Sequence, residues 1–284
     1  MGKTLYFECN SGISGDMIVG ALIDLGADKQ LLSEVLSTIK AEGFKIAYTR
    51  VKRAGLECMD FDVILDEEHD GHDHDMDYLY GHLHDSREHD QDHNHEHEHH
   101  HEHSHHDHEH NHVHRGMKEI NEILESTAMT DKARAIAKKI FGILAEAESK
   151  AHGLPVEQVH FHEVGAIDSI VDIVAIAVCF DYLGITDVVV PKLYEGQGTV
   201  RCQHGILPVP VPAVTNIVTQ YKLPLEILQV TGELVTPTGA ATVAALRTSD
   251  TLPKEFVIEK VGMGSGKRDY GLSGFLRAMI ISEK

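Results

Sequence analysis

The sequence predicts an α/β fold, a mixed sheet with flanking helices, with an α+β arrangement as the alternative. Three observations predict it. Strand-like and helix-like segments alternate along most of the 284 residues, the pattern of chains that layer helices on a sheet. The stretch Asp168 to Leu183 (DSIVDIVAIAVCFDYL) is apolar almost all round after its first turns, which marks a helix buried between layers. The hydrophobic fraction, 42%, is that of a domain able to bury a core.

Taken in order, Lys3 to Cys9 reads as a strand, Asn10 to Gly15 as a tight turn, and Asp16 to Leu25 as a helix stopped by Gly26. A second helix is expected from Lys29 to Glu42, capped by Asp28 and closed by Gly43. Phe44 to Lys52 and Cys58 to Leu65 read as a strand hairpin. Residues 66–114 have no apolar periodicity and cannot bury enough surface to offset chain entropy, so a disordered insertion is expected there. Helices follow over Lys118 to Ser126 and Asp131 to His152, the latter ended by Gly153 and Pro155. After the central helix, strands are expected at Val188 to Leu193 and Gly198 to Cys202. The prolines at 208, 210 and 212 exclude a regular central strand and lead into a helix from Ala213 to Tyr221. Leu225 to Val230 is a strand, Thr231 to Gly239 a turn feeding an alanine-rich helix to Leu246, and strands at Phe256 to Val261 and Phe275 to Ile281 flank a glycine-rich loop over 262–274. The whole chain reads as one α/β domain interrupted by the 66–114 insertion.

Charge narrows the function. The net charge is −20, but residues 66–114 hold sixteen acids against one base, Arg87, so the remainder is only mildly acidic. No basic stripe of the kind nucleic acid requires is present. No apolar run approaches the ~20 residues of a membrane helix, and Glu8 interrupts the N-terminus too early for a signal-peptide core. The cysteines Cys9, Cys58, Cys179 and Cys202 form no CxxC pair, which suits reduced thiols and a cytoplasmic setting.

The densest chemistry lies in His160-Phe161-His162-Glu163, followed by Asp168 and Asp172. The two aspartates, four apart, share a helical face. Imidazoles and carboxylates together suit Ni, Zn, Fe or Mn, and Glu163, Asp168 and Asp172 are also candidate proton carriers. Spacing alone leaves open a plain structural role, with the histidines hydrogen-bonding their neighbours and Asp168 capping a helix. Ser14, Gly15 and Asp16 join a strand to a helix start, where free amides attract a phosphate, although Asp16 would repel it unless a cation lay between. Thr238 and Gly239 repeat that arrangement beside Glu233. Gly264, Gly266 and Lys267 belong to GMGSGKRD, which suits polyphosphate but is not a Walker A loop, since Arg268 replaces the Ser/Thr. Three such turns together point to a phosphate-bearing ligand. His204, before the stiff proline segment, is a further metal candidate. Nineteen of the 23 histidines fall within residues 66–114, among them His99, His100 and His101. Many weak, exchangeable sites suit metal collection and delivery more than a fixed catalytic centre.

The segments FECNSGISGDM, HFHEVGAIDSIVDI, HGILPVPVPA, GELVTPTGAA and GMGSGKRD, in this order and with a histidine-rich insertion, resemble the LarC family of nickel-insertion proteins. The resemblance implies a cytoplasmic, oligomeric enzyme, a nickel chelatase of the lyase class. It would insert Ni²⁺ into pyridinium-3,5-bisthiocarboxylic acid mononucleotide, depending on CTP and assisted by Mn²⁺ or Mg²⁺. The product is the nickel-pincer cofactor delivered to the lactate racemase apoenzyme. Loss of a ring proton on Ni–C bond formation calls for a general base, the role open to Glu163, Asp168 or Asp172. Family members continue into a second α/β domain, so the resemblance also implies that the C-terminal domain is absent here. Such a chain would come from a split or frameshifted gene or a shortened protein, and would work with that portion as partner. The competing readings are a non-catalytic nickel store and a metal-dependent phosphohydrolase.

Overall fold

The computed structural model describes residues 2–66, 115–161, 167–202 and 205–284, with His160 described by its backbone alone. The expectations for the histidine-rich insertion beyond Asp66, for His162 and Glu163, and for His204 lie outside the described residues. In chain order the strands are β1 (Lys3–Glu8), β2 (Phe44–Arg53), β3 (Leu56–Leu65), β4 (Arg115–Gly116), β5 (His160–Phe161), β6 (Ile185–Val189), β7 (Leu193–Gln197), β8 (Thr199–Cys202), β9 (Gly205–Pro208), β10 (Leu225–Thr231), β11 (Phe256–Ser265) and β12 (Phe275–Glu283). The helices are α1 (Gly15–Asp24), α2 (Lys29–Leu36), α3 (Met117–Ser126), α4 (Asp131–His152), α5 (Ile167–Tyr182), α6 (Pro212–Tyr221) and α7 (Pro237–Leu246).

Six strands form one mixed sheet in the order β2-β3-β11-β12-β1-β6. The pairs β2/β3, β11/β12 and β12/β1 are antiparallel, while β3/β11 and β1/β6 are parallel. This is the expected α/β class with a mixed sheet. A two-stranded parallel pair (β7, β10) and two short antiparallel pairs (β4/β5 and β8/β9) lie outside it. Helix α1 packs on β3, β11 and β12; α5 packs on α1; α4 in turn packs on α5, α6 and α7. The central helix is buried along eleven of its sixteen residues, as its all-round apolar pattern requires.

Glycine spacing lets α1 approach the sheet. A Cβ at Gly20 would lie 2.5 Å from Met59 O, and one at Gly264 would lie 1.9 Å from Met17 O. Gly262 and Gly264 are therefore strand residues under a helix, and β11 continues to Ser265 where the sequence led us to expect a loop. Their glycine content reflects close helix–strand packing.

Three other boundaries differ. Helix α2 stops at Leu36 instead of reaching Glu42. The Ser37 hydroxyl donates to Glu34 O and the Thr38 hydroxyl to Val35 O, each at 2.7 Å, and Thr38 N and Ile39 N turn back three residues instead of four. Side-chain competition for the last carbonyls tightens and ends the helix. The strand expected over 188–193 is two strands, β6 and β7, in different sheets. Pro191 between them has no N–H to give a ladder, and Val190 N already donates to Ser249 O. Finally, β9 pairs with β8 in a hairpin ending at Pro208, ahead of the alternating prolines that bar further pairing.

Candidate functional site

The turn after β1 is built by hydrogen bonds that leave the start of α1 open. Gly12, at φ +87°, takes a conformation suited to glycine, and Gly12 N donates to Cys9 O at 2.9 Å. Ser14 then sits at the N-cap of α1 with extended backbone and no side-chain cap bond. Its hydroxyl donates to the carboxylate of Asp16 in the first turn. The N-terminus of α5 approaches the same place: a Cβ on Gly15 would meet Asp172 Oδ2 at 2.3 Å. Glycine at position 15 is what allows the carboxylate of Asp172 to lie against the first turn of α1.

These elements open on a cavity of about 340 Å³, within the size range of small-ligand sites. Ser14, Gly15, Asp16, Thr238, Gly266, Lys267, Asp168 and Asp172 all line it. The three Gly/Ser/Thr turns, scattered over more than 250 positions of the sequence, thus meet in one place. Gly239 and Gly264 do not line it. Gly239 N is taken by the Thr236 hydroxyl at 3.1 Å as the N-cap bond of α7, and a Cβ there would meet Ile13 O at 2.2 Å. Both glycines lie behind the wall and permit close packing. His160 sits in β5, placed by its neighbour Phe161, which is buried edge-on to Phe141 of α4 at a centroid distance of 6.5 Å. Such a pair adds about 0.5–1.5 kcal/mol beyond area burial.

The electrostatics are dominated by carboxylates. Burial pushes the pKa of Asp172 well above the usual carboxylate range; the charges of Asp16 and Asp168 push it further, Lys267 offsets part of this, and Asp62 adds to it. Asp172 Oδ1 is buried with no hydrogen-bond partner among the described residues. Asp60 is likewise raised by burial, with Lys267 opposing and Asp16 and Asp62 adding. Lys267 Nζ pairs with Asp62 and lies 3.7 Å from Asp60 Oδ2. Arg268 pairs with Glu233 at 2.9 Å. Among the described residues the cavity therefore gathers more carboxylates than cations. Yet no group of three or more His, Cys, Asp or Glu among them is placed to hold a metal ion. We expect Lys267→Met to lift the Asp60 pKa further, because the attraction opposing its protonation disappears; carboxyl titration followed by NMR would show this.

Several contributors escaped the sequence reading. Asp60 and Asp62 alternate on β3, a period-two signal visible in DFD. Glu148 and His152, one helical turn apart on α4, line the cavity together and lie 3.5 Å from each other. Burial raises the Glu148 carboxyl, and His152 partly offsets the rise. Their i, i+4 spacing was legible, but nothing in the sequence said that this end of α4 faces the site. Among the described residues, no helix is long and apolar enough to cross a membrane.

A family model described as nickel insertion protein matches residues 5–284. A protein of Alkaliphilus metalliredigens (strain QYMF), named pyridinium-3,5-bisthiocarboxylic acid mononucleotide nickel insertion protein, is 48% identical over 283 residues, covering 100% of this chain and 61% of that relative. Proteins of the same name from Clostridium acetobutylicum and Akkermansia muciniphila are 42% and 36% identical, over 99% and 98% of this chain and 64% and 60% of their own lengths. The chain thus spans about three fifths of the length of these relatives. No solved structure matches.

Proposed function

The chain belongs to the nickel insertion protein family, and from that premise we propose that it carries the site at which Ni²⁺ is inserted into pyridinium-3,5-bisthiocarboxylic acid mononucleotide. The observation that carries the reading is the convergence of the Ser14-Gly15 turn, Thr238 and Lys267 with Asp168 and Asp172 around one cavity. Partners for an anion and for a cation line the same cavity.

The substrate phosphate docks at the open amides of the α1 start or at the Thr236–Thr238 turn, where backbone N–H groups and the helix dipole favour negative charge. Asp16 opposes this unless positive charge intervenes. Asp16 and Asp172 offer hard oxygen donors of the kind Mn²⁺ or Mg²⁺ takes, binding through one or two carboxylates plus substrate phosphate, with Asp168 as the neighbouring carboxylate. Asp172 Oδ1, buried without a partner, is such a donor. Such a cation would supply the positive charge that offsets the repulsion of the phosphate by Asp16. Nickel is the metal substrate: His160, His162 and His204 are its proposed ligands, and the insertion containing His99, His100 and His101 its collector. Forming the Ni–C bond releases a ring proton. Asp172, Asp168 and Glu163 are the carboxylates proposed to accept it.

On this reading the enzyme is a cytoplasmic, oligomeric chelatase of the lyase class that depends on CTP. Residues 1–284 form a single α/β unit that works with a C-terminal portion, and the product serves the lactate racemase apoenzyme. The deciding experiment is nickel incorporation into the purified dithio-mononucleotide, with and without CTP and the C-terminal portion, followed by mass spectrometry. Failure of the complete mixture to form a nickel adduct would remove the reading.

The concentration of 19 of 23 histidines in one insertion favours a second reading, a nickel store. Deleting residues 69–114 separates the two. An insertase is expected to keep its rate at saturating nickel and lose it only when nickel is scarce, whereas a store loses its nickel capacity altogether. Equilibrium dialysis alongside the insertion assay reads both.

A further inference from the structure

Glu195 is fully buried in β7 and does not line the cavity. Its Oε1 accepts three backbone hydrogen bonds, from Leu234 N at 2.6 Å, Gly196 N at 2.8 Å and Val235 N at 3.1 Å. Its Oε2 is buried with no hydrogen-bond partner among the described residues. Burying a carboxylate is costly unless it is paired or hydrogen-bonded, and here one oxygen takes three N–H groups while the other takes none among the described residues.

The purpose is visible in what those bonds hold. Residues 232–236 form a loop clasped on both sides. On one side is Glu195. On the other, Ile13 N donates to Leu234 O at 2.9 Å and Thr236 N donates to Ile13 O at 3.1 Å. Clearance is minimal: a Cβ on Gly12 would lie 2.0 Å from Leu234 O, and one on Gly196 would lie 1.9 Å from Gly232 O. Ile13 directly precedes Ser14 and Gly15, and Thr236 caps α7 ahead of Thr238. One carboxylate oxygen, acting through the 232–236 loop, therefore sets the separation of the two turns that face the cavity. Turning Leu234 N and Val235 N inward also leaves Glu233 on the cavity wall, paired with Arg268.

We propose that Glu195 is a positioning residue for mononucleotide binding, clamping the 232–236 loop onto the Ile13 turn so that both phosphate-facing turns are held at one spacing. This rests on the mononucleotide reading of the cavity. Burial pushes the Glu195 carboxyl up to about 7, against the pull of its three N–H donors and with the Glu233 charge adding to the rise. A neutral acceptor of the same shape should therefore serve nearly as well as the carboxylate.

The test uses nicotinic acid mononucleotide, a pyridinium mononucleotide, titrated calorimetrically into the full chain, with melting curves for every variant. E195A leaves Leu234 N, Gly196 N and Val235 N without their acceptor and frees the two turns from their common anchor. E195A is accordingly expected to weaken binding by about tenfold, the scale of a lost buried acceptor, while E195Q, which keeps an acceptor oxygen, stays near wild type. In the insertion assay with the C-terminal portion, E195A should raise KM for the dithio-mononucleotide with kcat little changed. If E195A does not fold, E195D draws the oxygen back by one methylene and is expected to show the same loss of affinity. Unchanged affinity in E195A (or in E195D where E195A is unfolded), or an equal loss in E195Q, overturns the proposal. A wild-type chain that neither binds the probe nor inserts nickel removes the cavity reading and this inference with it; wild-type binding that survives the loss of the clamp removes the inference alone.

Discussion

Asp172→Asn is expected to cut nickel insertion sharply while raising the melting temperature of the chain. The two effects share one cause. Burial, together with the charges of Asp16 and Asp168, raises the Asp172 pKa, so the folded state holds its proton more tightly than the unfolded chain does. A group of this kind stabilises the fold at low pH, and that stability is lost as pH rises through the folded-state pKa. Asparagine cannot ionise and escapes the loss. The melting-temperature difference, variant minus wild type, should therefore be smallest in acid and grow as the pH rises. Each kcal/mol of relieved repulsion is worth about 2–4 °C in a domain of this size. Insertion should fall by about a hundredfold or more, the usual contribution of a positioned base. A variant that melts no higher than wild type at neutral pH would contradict the electrostatic account. One that inserts nickel normally would contradict the chemical one.

Gly264→Ala is expected to be strongly destabilising. The added Cβ would lie 1.9 Å from Met17 O and 2.6 Å from Ala21 N. Both atoms belong to the backbone of α1, so no side-chain rotation relieves the clash and the helix itself must lift from β11. Overpacking of this kind costs about 1–3 kcal/mol, occasionally more, or a fall of about 2–12 °C at the same conversion. Because α1 begins at Gly15, the shift should also disturb Ser14, Gly15 and Asp16 and weaken mononucleotide binding. Gly142→Ala is the control: nothing lies within 4 Å of its added Cβ, and it should melt close to wild type. If Gly264→Ala also melts with wild type, the packing of α1 on β11 is looser than described.

The parts of the fold that were legible in sequence were those whose signal is local. The stretch Asp168 to Leu183, apolar almost all round after its first turns, reads as a buried helix, and α5 is buried along most of its length. Asp28 caps α2 through bonds to Gln30 N and Leu31 N, and Gly153 closes α4 in a left-handed conformation, both as expected from their positions in the chain. The misreadings arose where a distant partner decided the outcome. The glycines of GMGSGKRD looked like a phosphate loop because glycine permits either a tight turn or a close neighbour. Only the presence of α1 above β11 shows that Gly262 and Gly264 serve the second use. Pro191 split a strand that hydropathy alone would have continued.

The candidate site divides the same way. Residue types and spacing along the chain singled out Ser14, Gly15, Asp16, Asp168, Asp172, Thr238 and Lys267, because helix starts, carboxylate pairs and cations advertise themselves within a few residues. That these belong to one cavity was a matter of tertiary structure, since α1, α5, α7 and the end of β11 meet only when the layers pack. Asp60, Asp62, Glu148, His152 and Glu195 gained their importance there too. A carboxylate's pKa and its role depend on what is buried beside it, and that company is chosen by the fold, not by the neighbouring residues in the chain.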